Sequence, residues 1–150
     1  MNWASLLLFA LAGWPLAQPA AQGWARDSQE IRKVIEDQWQ AFLDDDAEKA
    51  FSLASPSVQE TFGSADNFMT TVRNDYPMVY RHTDSVFLDQ EMHPGFSFQL
   101  VKLSLATGEV WLVVYQMQRL ADGNWRIGGV VAVPRDEAPD EDAEPPADAT

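Results

Sequence analysis

The chain has 150 residues, 23 acidic against 10 basic, giving a net charge of −13 and no cysteine. That acidity repels phosphate backbones and anionic lipid surfaces and so argues against a nucleic-acid partner, while the missing thiols exclude disulfides, cysteine-ligated metals and thiolate catalysis. A domain of ordinary size is left that must cohere by packing alone, and 46% apolar residues, with six Trp and eight Phe, suffice for one core.

Residues 1 to 25 carry no charged side chain, and Leu6 to Ala12 form a compact apolar run followed by Gly13, Pro15 and small residues. This pattern reads as a secretory signal peptide over residues 1–21, with cleavage after Ala17 or Ala21, so the chain is expected to be exported to the periplasm or beyond. The leader lacks a basic residue, which leaves an uncleaved N-terminal anchor as the alternative. The run falls short of the roughly 20 apolar residues that span a bilayer, so no stable membrane span is expected after cleavage.

Asp27-Ser28-Gln29-Glu30 resembles a capping box, and Ile31, Val34, Ile35, Gln38 or Trp39, and Phe42 follow at helical spacing, so a helix is predicted from about 28 to 44. Asp44-Asp45-Asp46 ends it, and Asp46 caps a second helix through Ala47, Ala50, Phe51 and Ala54 up to Ser55-Pro56. A helical turn over 57–62 closes on Gly63, a left-handed cap, and Ser64 opens another helix through Phe68 and Val72. Beyond Pro77 the period becomes that of strands: a short one at Val79 to His82, then 85–92, 96–106, 110–120 and 125–133, joined by short turns. Helices followed by an antiparallel meander mean an α+β domain over 24–133, three to four helices packed on a curved sheet of four to five strands. From Pro134 onward seven acids and four prolines, with no hydrophobe larger than alanine, predict a disordered acidic tail; the body alone still carries −7.

In the strand 110–120 one face carries Trp111, Val113, Tyr115 and Met117 and the other Val110, Leu112 and Val114. Helices can cover only one face, so the outer one is expected to be buried in a homodimer, with Trp111→Glu as the disrupting change, the alternative being the tail or an N-terminal segment lying across it.

Helices first, then a meander ending in Asp122-Gly123-Asn124-Trp125-Arg126-Ile127, resemble the nuclear transport factor 2-like superfamily of α+β cones. Within it, Ile31 to Phe42, Ala50 to Pro56, Phe62-Gly63, Phe68-Met69, Tyr76 to Tyr80 and Trp125-Arg126-Ile127 are similar to the bacterial domain-of-unknown-function 4864 family, over about residues 28 to 131. That family has no assigned activity, so the resemblance carries over no catalytic residue. The wider superfamily implies a cone enclosing a mostly apolar pocket, which its members use for isomerisation, dehydration, ligand carriage or protein contact; the fold alone does not choose among these.

For acid–base work the chain offers His82 and Asp84, which two residues apart on a strand would share a face as base and orienter, beside the tyrosines Tyr76, Tyr80 and Tyr115. The polar run Arg81 to Ser85 reads equally as a solvated turn. Asp44 to Asp46 lack the spaced ligands of a calcium loop, and His82 with His93 would need two further ligands to hold zinc, so no metal or cofactor is expected. Most of the aromatic set must be core. A surviving cavity would be rimmed by Tyr76, Tyr80 and Trp39, with Tyr115 a further ligand contact. The sequence thus points to an exported, non-enzymatic module binding a small hydrophobic ligand or a protein partner in the cell envelope. A pocket enzyme of isomerase or dehydratase type is the alternative.

Overall fold

A computed structural model describes residues 19–136. The signal peptide read at 1–21 and the acidic tail from 134 fall outside the described residues, except at their inner edges. No helix among the described residues is long and apolar enough to cross a membrane.

Helix α1 (Pro19–Leu43) buries Ile31, Ile35, Trp39 and Phe42 along one stripe. Its wet side carries the i,i+4 pairs Arg26–Glu30, Arg32–Glu36 and Lys33–Asp37, each contributing a few tenths of a kcal/mol. The helix starts well before the capping box expected at Asp27. Nothing in the alanine-rich stretch ahead of it breaks a helix, and the Asp27 carboxylate is engaged elsewhere: Trp125 Nε1 and Arg119 Nη1 each donate to it at 3.3 Å.

The turn after α1 places Asp45 in the left-handed region at φ 51°. Its carboxylate accepts from the Tyr80 hydroxyl and from Arg81, which also donates to the Phe42 carbonyl. Asp46 caps α2 (Ala47–Ser52), with Oδ1 accepting from Lys49 N at 3.0 Å. Ser55 caps α3 (Pro56–Phe62), which ends on Gly63 at φ 75°, a conformation that favours glycine. Ser64 caps α4 (Ala65–Asp75), whose Ala65, Phe68, Met69 and Val72 are buried.

Residues 79–82, expected as a strand, do not form one: Val79 and Tyr80 end the short helix α5 (Pro77–Tyr80), and Arg81 and His82 follow it outside any strand. Proline at its first turn has φ preset and no N–H to leave unpaired, and consecutive Met78 and Val79 are both buried, which an alternating strand could not arrange on one face.

Strands β1 (Asp84–His93), β2 (Phe96–Ser104), β3 (Val110–Arg119) and β4 (Trp125–Pro134) form an antiparallel meander in sequence order. The whole is α+β, helices followed by a four-stranded sheet, consistent with the cone inferred from the resemblance. Two irregularities bend the sheet, one in β1 between Phe87 and Gln90 and one opposite Gln116 and Met117. At the first, the buried Gln99 amide donates to the carbonyls of Leu88 and Asp89. The second admits Gly128 to β4 between Ile127, paired with Met117, and Gly129, paired with Gln116.

Val101, Leu103, Val113, Tyr115 and Met117 face the helices and are completely buried. Trp111 lies on this same inner face and packs against the core, so it is not the outer-face residue expected for a dimer probe. The reverse side holds Leu112 and Val114, and Val131 there is 63% exposed.

Candidate functional site

The connection between α2 and α3 docks on the last strand. Ser55 N donates to the Ile127 carbonyl at 2.8 Å and Ile127 N to the Leu53 carbonyl at 2.9 Å, a single parallel bridge centred on Ala54. This bridge fixes the α2–α3 connection to β4 at one corner. Beyond it a cleft of about 260 Å³ opens, walled by Gln38 and Phe42 of α1, Ala54, Val58 and Phe62, Phe68, Thr71 and Val72 of α4, Tyr76, Val79, and Ile127, Gly129 and Val130 of β4. Gly129 lines the cleft with its backbone; a Cβ on it would point to the other face of the sheet, 3.3 Å from the Gln116 Oε1, so even alanine is tight at this position.

Aromatic packing shapes the wall. Phe68 meets Phe62 edge to face at 5.3 Å between ring centres, and Phe51 and Phe42 at 5.6 and 6.2 Å. The wall has no Asp, Glu, His, Lys or Arg; its polar side chains are Gln38, Thr71 and Tyr76. A more open groove continues past Phe62, Thr71, Asp75, Tyr76 and Val130 to Trp111. The Trp111 Nε1 is enclosed and has no hydrogen-bond partner.

Of the residues expected at the mouth of a pocket, Tyr76 lines the cleft and Trp39, Tyr80 and Tyr115 do not. Tyr80 reaches Asp45 at the protein surface, with the Arg81 guanidinium 4.0 Å and that of Arg73 5.3 Å from its ring centre. The Tyr80 hydrogen bond, helped by the two arginines, holds the Asp45 carboxyl below its ordinary range. Tyr115 is wholly buried, and its hydroxyl accepts from Trp39 Nε1 at 2.8 Å. Burial pushes that hydroxyl far up, so it stays neutral at any physiological pH.

His82 and Asp84 are not brought together as a catalytic pair. His82 precedes β1, is half-buried, and packs edge-on to Trp39 with ring centres 4.7 Å apart; its Nδ1 lies 3.2 Å from the Met78 carbonyl. Burial lowers its pKa, with Met78, Val79 and Asp84 acting weakly the other way. Neither residue lines the cleft. Glu91 and His93 pair at 2.7 Å on the outer side, where His93 stacks on Phe96. Among the described residues no three His, Asp or Glu side chains gather as metal ligands.

Gln38, Val58, Thr71 and Val130 were not singled out as site residues from the sequence. Gln38 left a trace, a polar residue three positions after Ile35 and four before Phe42, within the apolar stripe of α1.

Compared with known protein families, the chain matches the model described as Domain of unknown function (DUF4864) over residues 25–139, a span that takes in all four strands and every helix but the first turns of α1. No curated protein matches it.

Proposed function

The chain belongs to the DUF4864 family of unknown function, and from that premise we propose that it is an exported, non-enzymatic module that holds a small apolar ligand in the cleft between α3, α4 and β4. One observation supports this above the rest: the wall is apolar and aromatic, with a few isolated polar groups and no ionisable acid or base beyond a tyrosine. Binding sites for small neutral molecules are built this way. Acid–base catalysis needs a titratable group at the reacting atom; of the acid–base candidates Tyr76 alone lines the wall, and His82 and Asp84 stand outside it. A dry cavity of about 150 Å³ accommodates benzene, so a cleft of about 260 Å³ has room for a larger molecule.

Native mass spectrometry of the purified protein tests the proposal. A bound small-molecule mass is expected, absent from a Val58→Trp variant that fills the cleft. The same ligand occupancy in both proteins contradicts it.

A second copy of the chain is proposed to cover the outer sheet face, where Val86, Leu88, Phe96, Val131 and Val133 are exposed beside Leu112 and Val114. With Trp111 on the inner face, Leu112→Glu is the appropriate probe. Sedimentation velocity is expected to show a dimer for the parent and a monomer for the variant; identical sedimentation of the two rejects this interface.

A further inference from the structure

Resting on the reading of the cleft as a ligand site, we infer that its occupant is a neutral apolar molecule that donates a hydrogen bond to Gln38 Oε1, an alcohol or N–H compound rather than a carboxylate, ether or hydrocarbon. Gln38 is 2% exposed and lines the cleft. Its Nε2 donates to the Ala50 carbonyl at 3.1 Å. That carbonyl can only accept, so the amide cannot sit the other way round, and the oxygen is directed away from α2. Among the described residues Oε1 accepts no hydrogen bond. It is also not sealed in, since the only fully enclosed unpartnered side-chain atoms there are Gln90 Nε2 and Trp111 Nε1. Gln38 thus offers the cleft a fixed acceptor deep in an apolar wall.

A ligand that brings only lone pairs to this oxygen strips it of water and leaves it unpaired, and an anion adds repulsion from the negative end of the amide dipole. A hydroxyl or N–H satisfies it. The body's net charge of −7 acts in the same direction against anionic ligands.

Three probes of eight carbons each, roughly matched in size, separate these cases: octan-1-ol, methyl heptyl ether with the same number of heavy atoms but no donor, and octanoate. In isothermal titration at neutral pH the alcohol is expected to bind roughly tenfold tighter than the ether, the difference one satisfied hydrogen bond makes, with octanoate weakest. Gln38→Met keeps the side-chain length, and Ala50 O retains Leu53 N at 3.3 Å as its donor, so the local structure survives the change. In this variant the alcohol and the ether are expected to bind equally. Equal binding of the two by the parent protein overturns the inference while leaving the cleft reading intact, and this comparison decides the matter even where Gln38→Met fails to fold. A preference for the alcohol that persists in a folded Gln38→Met variant also overturns it. Failure of both alcohol and ether to bind the parent removes the cleft reading itself.

Discussion

Gln38 and Trp39 are neighbours on α1, yet they serve two different halves of the interior. Consecutive helical residues diverge by about 100°, so Trp39 turns toward Phe87, Tyr115 and His82 while Gln38 turns toward α2 and the cleft. In the first half each polar atom of the pair finds the other: the indole N–H meets the Tyr115 hydroxyl, and Tyr115 is wholly buried between helix and sheet. In the second, Gln38 spends its N–H on Ala50 and keeps its oxygen, and the space is left open. Aromatic content does not make the difference, since both halves are rich in rings. What separates them is the polar pairing.

The largest effect is expected in the closed half. Trp39→Ala removes a buried indole and should lower stability by about 3–5 kcal/mol in urea unfolding; a loss well under that would mean the half is loosely packed. Tyr115→Phe keeps the ring but strands the Trp39 N–H, which should cost roughly 1–3 kcal/mol. In a double-mutant cycle with Trp39→Phe the two losses should be less than additive, and strict additivity would contradict the pairing. Val58→Trp in the open half should alter stability by less than about 1 kcal/mol, the size of an ordinary partly exposed change, while abolishing octan-1-ol binding.

A smaller effect concerns pH. The folded protein resists protonating His82, whereas the unfolded chain takes up the proton near 6.5. The stability from neutral, buried His82 is therefore present above that value and lost as pH falls through the lower folded value. Urea midpoints measured across this window should decline in the parent and stay flatter in His82→Gln. The separate acid limb set by Asp45 and Asp122, both lowered from 3.8, should remain. The smallest effect is expected at Trp111→Phe, which removes an enclosed donor with no partner and should be neutral or slightly stabilising by thermal melting.

The fold was largely legible because its cues are local. Asp46 and Ser64 each accept from a backbone N–H at the head of their helix, and Gly63 ends α3 in the left-handed conformation, as residue type and spacing indicate; Ser55, read as the stop of a helix running through Ala54, instead caps α3 after α2 has ended at Ser52. Local cues failed where a tertiary partner redirected the residue. Asp27 looks like a cap but serves Trp125 and Arg119 from mid-helix, 92 to 98 positions away in sequence. Alternation along β3 grouped Trp111 with Tyr115 and Met117 without saying which group faces inward, and the helices decided it.

The candidate site was harder to read for the same reason. Tyrosines and histidines draw attention by their chemistry, yet Tyr80 and Tyr115 make structural hydrogen bonds, and of the four residues expected to contact a ligand Tyr76 lines the cleft. The informative residue was the polar interruption at Gln38, whose meaning depends on a carbonyl in α2 that no helical period reveals.

The most direct test of the division into closed and open halves is an amide and indole NMR titration of the protein with octan-1-ol. The account predicts shifts concentrated at Val58, Val72, Ile127 and Val130, with the Trp39 indole N–H resonance unmoved because Tyr115 already holds it. Shifts confined to the outer strands, or a Trp39 indole that moves in step with the cleft residues, would contradict it.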